Sequence, residues 1–399
     1  MSPSTHRIPV ERLAWLPSTW NRFISSHADA LPTLEEASEQ EKAIALYRKT
    51  SGDSSTTTSD RIFGQRVVVE WRESFGSEDT HVQYARRLDY LVAVLRKLSA
   101  SVSQSFSAAH TEGDFKILHC LGWTSTKDYD RVGLVFSVPQ TPASSSLARS
   151  LIQTPDILTL NDWLARTRRD KSMEPPPLGL RFDIARGLVL ALGNLISVGW
   201  IHKELRSHNV LFFGKYHSGS PLSKPYLSGY TYARPTHEMP RDVSSLVASP
   251  EYALYRPTKD VLANFQTRMA SIDATGDNDA VNGASSDDSG EEKLSTDKMP
   301  IKTDTAWRTS ALDIYGLGIV LLEIGLWRTI QSLQSRSMSQ EHFVKYELDG
   351  IVQSLSYRTG DLYCGVVRQS LNFGNWAENR AQETEFFGRV IEDLALCSA

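Results

Sequence analysis

Apolar and polar positions along the chain fall into segments of distinct period. Val67-Val68-Val69 is a β-branched run flanked by charge, which predicts a strand. From Asp79 to Leu98, Val82, Ala85, Leu88, Leu91, Val92 and Leu95 recur at helical spacing. They predict an amphipathic helix of about five turns. Phe115–Leu121 and Val132–Val138 read as two further strands. A short helix signal at Leu158–Arg166 has Thr159 or Asn161 available as its cap. A long helix over Leu180–Val198 gathers Ile184, Leu188, Leu192, Leu195 and Ile196 on one face. Ahead of all these, Thr33-Leu34-Glu35-Glu36 is a capping-box signature. Ala37, Ile44, Ala45 and Tyr47 continue a helical pattern from it to Lys49, predicting one separate helix.

Two stretches carry no such pattern. Thr50–Asp60 is a Ser/Thr tract without an apolar side chain, and 271–305 holds nine acidic residues against three basic ones. Neither offers enough apolar surface to offset the entropy of ordering, so both are expected to be disordered. The division that follows is an extension over 1–60 with one helix and a linker, and a small sheet-plus-helix lobe over 61–138. A connector over 139–156 leads to a mostly helical lobe over 157–399, which the acidic insertion interrupts. The expected class is α+β and bilobal.

Composition narrows the function classes. The chain has 399 residues, 40% apolar and 23% charged, enough for a two-lobed unit of roughly 250–300 residues with tails. Lys and Arg number 43 against 47 Asp and Glu, a net charge of −4, which argues against a nucleic-acid partner. Three scattered cysteines, Cys120, Cys364 and Cys397, build neither a disulfide framework nor a zinc pattern. The first 30 residues lack the apolar core of a secretory signal, and the apolar run Ile314–Ile324 is too short to cross a bilayer. A cytoplasmic location and no transmembrane segment are expected.

The chemistry is concentrated after the long helix, in Trp200-Ile201-His202-Lys203-Glu204-Leu205-Arg206-Ser207-His208-Asn209-Val210-Leu211. Here the chain resembles the protein-kinase catalytic loop, H-R-D-L-x-x-x-N between a helix and a strand, with His202, Leu205 and Asn209 at the matching spacings. Asp313-Ile314-Tyr315-Gly316-Leu317-Gly318 is similar to the kinase helix whose buried Asp accepts N–H bonds from that loop. Leu321–Trp327, Tyr357 and Tyr363–Leu371 resemble fungal kinase-like proteins associated with prion-inhibition (HeLo-type) domains. The resemblance covers roughly residues 60–399 and implies a bilobal kinase-like fold. In it His202 and Asp313 are structural, Asn209 is a magnesium ligand, and ATP with magnesium is the cofactor pair.

The departures from the pattern bear on activity. Glu204 stands at the catalytic-base position, one methylene longer than Asp, and a displacement of about 1 Å can cost on the order of 10²-fold in rate. Arg206 stands where a Lys usually contacts the transferring phosphate. The closest match to the metal-binding D-F-G is Leu227-Ser228-Gly229, and no Asp or Glu occurs from Leu205 to His237. Only Gly52 and Gly64 precede the Val67 strand where a glycine-rich phosphate loop belongs, and no Lys lies between Lys49 and Lys97. The strand's lysine position falls at Glu70 or Arg72, with Arg72 favoured. On the following helix Asp89 is the one acidic residue well inside. The A-P-E segment matches either Ser249-Pro250-Glu251 or Tyr255-Arg256-Pro257.

The expectation is a degenerate kinase-like domain, a pseudokinase, serving as an interaction module for a protein partner in intracellular fungal signalling. The alternative is a residually active phosphotransferase, with Glu204 as base, Asn209 on magnesium, and Arg72 and Arg206 on phosphates. Arg166, Arg168, Arg169 and Lys171 form a small basic cluster, which a solvated helix end explains; contact with anionic lipid or phosphopeptide is the competing reading.

Overall fold

The computed structural model describes residues 6–16, 33–38, 41–48, 65–73, 78–104, 116–127, 130–139, 157–170, 174–213, 225–236, 250–258, 306–335, 337–377 and 379–397. Thr50–Asp60, the acidic stretch 271–305 and all but the first residue of the connector 139–156 lie outside them. The fold is mixed α+β.

Five antiparallel strands form the main sheet in the order β1-β2-β3-β6-β5. They are β1 (Leu13–Leu16), β2 (Lys42–Tyr47), β3 (Gln65–Glu73), β5 (Cys120–Ser125) and β6 (Arg131–Ser137), while the short β4 (Lys116–Ile117) belongs to a second sheet. Both faces of β3 are covered, which is why its valines do not alternate with polar residues. Val67, Val69 and Trp71 pack with Leu13, Trp15, Ala45 and Tyr47. Val68 turns the other way, toward Leu88, Leu91, Val92 and Leu95. Those four lie on α2 (Glu78–Gln104), at the spacing read from the sequence.

Three sequence expectations change here. The capping box is real: Glu36 N–H donates to Thr33 Oγ1 at 3.3 Å and Thr33 N–H to Glu36 Oε2 at 2.9 Å. Its helix, α1 (Leu34–Ser38), is short, however, and the rest of the predicted helix is β2. Ala43, Ile44, Ala45 and Tyr47 pair with β3 from Val69 to Gln65, and the sheet overrides a weak helical pattern. Consequently the boundary expected at residue 60 cuts through a sheet that begins at Leu13. The single strand expected over Phe115–Leu121 is two strands. β4 joins β10 (Tyr226–Leu227) in the second sheet, and β5 joins β6 in the first.

The second sheet runs β4-β10-β9-β7, with β7 (Ile157–Thr159) and β9 (Val210–Phe213); β8 (Trp200–Ile201) pairs with β11 (Arg234–Pro235). Helices make up the remainder: α3 (Leu160–Arg169), α4 (Leu178–Ser197), α5 (Ala306–Leu326), α6 (Leu348–Thr359), α7 (Asp361–Leu371) and α8 (Arg380–Leu396). Thr159 caps α3, accepting from Asp162 N–H at 3.0 Å. Apart from the buried Ser310, Asp313 and Glu323, the described part of α5 is apolar all round, because α4, α6 and α7 surround it. Gly318 and Gly325 admit Leu371 and the Leu355–Tyr363 pair, where a Cβ would approach their atoms to 2.8–2.9 Å. One continuous apolar core runs from the α2 face of the main sheet through these helices. Among the described residues no helix is long and apolar enough to cross a membrane.

Candidate functional site

The loop after α4 is shaped by backbone geometry before any side-chain chemistry. Gly199, in the left-handed region (φ 78°), turns the chain out of α4 into β8, and Lys203 holds φ 70° despite its Cβ. Asp313 of α5 sustains that conformation. Its Oδ2 accepts from His202 N–H at 2.6 Å and its Oδ1 from Lys203 N–H at 2.7 Å. Burial pushes the Asp313 carboxyl up to about 6, against the pull of these two bonds.

His202 is fully buried. Its Nε2 lies 2.8 Å from the Ser228 carbonyl, which fixes a proton there and leaves Nδ1 to accept from Glu204 N–H at 3.3 Å. Burial holds the imidazole down at about 3, so the ring is a neutral connector between two loops.

Asn209 closes the loop. Its Nδ2 donates to the Glu204 carbonyl at 2.7 Å, and its Oδ1 accepts from Lys42 Nζ at 2.6 Å. Its backbone carbonyl takes Ser228 N–H at 2.8 Å. Gly229 follows with φ 88°, and a Cβ there would lie 2.3 Å from Asn209 Nδ2, so only glycine fits.

Lys42 comes from the first residue of β2, directly opposite Glu70 of β3 in register. Both are buried. Glu70 reaches the same loop from the sheet side: its Oε1 accepts from Gly229 N–H at 2.8 Å and its Oε2 from Tyr230 N–H at 3.0 Å. Burial raises the Glu70 carboxyl, opposed first by the Lys42 charge. Burial lowers Lys42, opposed first by Glu70.

Beside this pair, Arg206 donates from Nη2 to Glu41 Oε2 at 2.8 Å and lies 3.4 Å from Glu204 Oε2. Its guanidinium carbon sits 3.6 Å from the Tyr252 ring centroid. Burial works to lower Arg206, but the Glu204 and Glu41 carboxylates outweigh it and the net shift is upward. Burial raises Glu204, with Arg206 opposing. Toward α5, the buried Ser207 Oγ, Tyr255 Oη and Glu323 Oε1 form a chain of 2.8 Å hydrogen bonds.

Of the residues singled out in the sequence, His202, Glu204, Arg206, Asn209 and Asp313 therefore meet in one network. Arg72 does not take the anchoring position favoured for it. Its guanidinium lies over the Tyr84 and Tyr232 rings, at 4.6 and 5.1 Å, while Glu70, two residues earlier on the same face, contacts the loop. Asp89 accepts from the Trp123 indole at 2.9 Å.

Two buried side chains of the sheet complete the network. Lys42 comes from the strand beside β3 and reaches Asn209. Glu70 lies outside the acid-free stretch from Leu205 to His237 and accepts from the amides of Gly229 and Tyr230. No sequence pattern flags Lys42, and Glu70 stands in the sequence only as one of two register candidates, because both act through cross-strand placement.

The arrangement fits a magnesium–nucleotide poorly. The amide oxygen of Asn209 already faces an ammonium, and a divalent cation placed there would be repelled by it. Both Glu70 oxygens hold backbone amides, and Leu227 is buried and carries no donor atom. Among the described residues no group of three or more His, Cys, Asp or Glu could hold a metal ion. The two central cations, Lys42 and Arg206, already face three carboxylates, Glu41, Glu70 and Glu204. To meet a triphosphate, Lys42 would have to leave Asn209 and Arg206 would have to leave Glu41.

A scan against protein-family models finds no match, and a search of curated proteins finds none.

Proposed function

We propose that this chain is a degenerate protein-kinase-like domain, a pseudokinase that works as an interaction module for a protein partner rather than by turnover. The reading rests on a bilobal arrangement in which the sheet with α2 is the small lobe and the segments from β7 onward are the large one. Its support is the H-x-E-x-x-x-x-N loop held by a buried Asp on a following apolar helix, beside a five-stranded antiparallel sheet carrying one long helix. The fungal HeLo-associated subgroup and a cytoplasmic setting belong to the same proposal. Cys120 and Cys364, both free and buried, accord with a reducing compartment.

One observation carries the inactive reading: both polar ends of the Asn209 amide are taken, by Lys42 and by the Glu204 carbonyl. Phosphoryl transfer is mostly positioning and charge stabilisation around magnesium, and here the residue at the ligand position stabilises the protein's own cleft. The alternative phosphotransferase needs Arg72 and Arg206 on phosphates, yet the first is stacked on tyrosines and the second holds Glu41. Thermal shift with ATP, with and without magnesium, tests the proposal. A ligand at 100-fold its dissociation constant adds about 2.7 kcal/mol, a readily seen shift. No shift at millimolar nucleotide is expected. A magnesium-dependent rise, with phosphate incorporation lost in Glu204→Ala, would overturn the proposal.

A further inference from the structure

Away from this loop, three helices end side by side, at Arg169 of α3, Leu326 of α5 and Thr359 of α6. Gly325 lies twelve residues along α5 from Asp313, about 18 Å at helical rise. Trp327 joins two of the ends. Its indole Nε1–H donates to Thr167 Oγ1 at 3.3 Å, and its ring meets Trp163 edge-on at 4.9 Å. The third end packs on Gly325, where a Cβ would come within 3.4 Å of Thr359 Cγ2.

Each end carries an arginine: Arg168, Arg328 and Arg358. A fourth, Arg181 from the first turn of α4, lies with its guanidinium 5.2 Å from the Trp327 ring centroid. Arg181 donates to the carbonyls of Pro176 and Gly325, at 2.9 and 3.3 Å, and Arg328 donates to that of Ser332 at 3.0 Å. Among the described residues none of the four meets a carboxylate, unlike Arg186 with Asp183 at 2.7 Å or Arg389 with Glu385 at 3.7 Å. Burial and then the Arg168 and Arg358 charges lower the proton affinity of Arg328. Arg181 is lowered by burial and by Arg358, with Tyr363 opposing.

Helix dipoles account for part of this. Each carboxyl-terminal end presents about half a negative charge, so three ends offset roughly 1.5 of four positive charges. Counting Arg166 and Arg169 of α3 together with the acids Asp170 and Asp361 at the same ends leaves the balance positive. We propose that the junction of α3, α5 and α6 is a binding site for a compact, multiply charged phosphate, free or as a lipid headgroup. Guanidinium forks match phosphate oxygens in pairs, and four of them in one place favour a ligand that concentrates negative charge. The patch is compact, not the long stripe that a nucleic-acid backbone follows. Tyr357 beside Arg358 is 92% exposed and Leu362 is 45% exposed, which gives a headgroup-bearing surface an apolar contact. The proposal is independent of the pseudokinase reading.

Calorimetric titration of the full chain with tripolyphosphate at low ionic strength tests it, with Arg328→Gln/Arg358→Gln as the variant and its melting temperature as the fold control. Single-site binding is expected, weakened at least about tenfold in the variant and by added salt. Should the double variant fail to fold, Arg168→Gln, an exposed change at the end of α3, repeats the comparison. A second arm sediments the protein with phosphatidylcholine vesicles with and without phosphoinositide. Phosphoinositide-dependent sedimentation that tripolyphosphate displaces assigns the headgroup as ligand; tripolyphosphate binding without sedimentation assigns a free phosphate. Absence of binding in both arms, or equal binding by wild type and folded variants, overturns the proposal.

Discussion

Replacing Lys42 by Met removes a buried charge while keeping most of its length. Lys42 and Glu70 are direct cross-strand partners, 8% and 2% exposed, and side chains so placed have Cβ atoms about 5 Å apart. In the variant Glu70 keeps its two backbone amides but loses its nearest opposite charge. Breaking a contacting buried pair from one side costs about 3–5 kcal/mol. Lys42 and Glu70 interact through space while Lys42 bonds Asn209, so each loss should fall below that range. Replacing both partners is often neutral or stabilising. Lys42→Met and Glu70→Gln should therefore each destabilise, and the double variant should fall well short of their sum, with a coupling of about 2 kcal/mol or more. The Lys42→Met deficit should also depend on pH. Glu70 is already raised by burial, and without Lys42 it rises further. The native state then binds a proton that the unfolded state lacks, so stability is lost as pH rises above the unfolded value near 4.5. Guanidinium denaturation of all four proteins, followed by tryptophan fluorescence at about pH 5.5 and pH 8, measures both effects. Additive single-variant deficits, or a Lys42→Met deficit equal at both pH values, would refute the pairing.

Other parts of the network make further predictions. His202, held down at about 3 by burial, should show a flat Cε1–H NMR shift from about pH 8 to pH 4. Because its folded value lies below the ordinary 6.5, its contribution to stability is complete above that pH and is lost as pH falls toward 3; a midpoint near 6.5 contradicts this. Gly229→Ala places a Cβ 2.3 Å from Asn209 Nδ2 at φ 88°. Left-handed strain of about 1–2 kcal/mol plus overpacking of about 1–3 kcal/mol should lower the guanidinium midpoint clearly, and a loss under about 1 kcal/mol would contradict the close approach. Glu323, raised by burial to about 7, withdraws stability as pH rises from the ordinary carboxyl value of 4.5 through 7. Glu323→Gln keeps an acceptor for Tyr255 and Ile330, and should gain about 3 kcal/mol relative to wild type between pH 5 and pH 8.5. An unchanged pH profile argues against an ionising Glu323.

What the sequence revealed and what it hid differ in range. The α2 face from Leu88 to Leu95 and the α4 face from Ile184 to Ile196 were readable because helical period is local. The loop from His202 to Asn209 was readable because its spacing is fixed within eight residues. Capping at Thr33 was also legible, but the helix beyond it was not, since Ala43 to Tyr47 suits either period and only pairing with β3 decides. Glu70 and Lys42 are 28 residues apart and acquire their roles solely by facing each other across β2 and β3. Strand register alone leaves Glu70 and Arg72 as equal candidates, because they share a face and only the third dimension separates their partners.

On the proposed reading, Asn209 and Gly229 serve the protein's own cleft, and a metal-bound nucleotide finds no seat beside them. Paramagnetic broadening by manganese–ATP measures this at the residues concerned. On that reading the backbone amide signals of Asn209 and Gly229 keep their intensity in manganese–ATP, matching a control with magnesium–ATP. Selective loss of those two signals, reversed by excess magnesium–ATP, would contradict it.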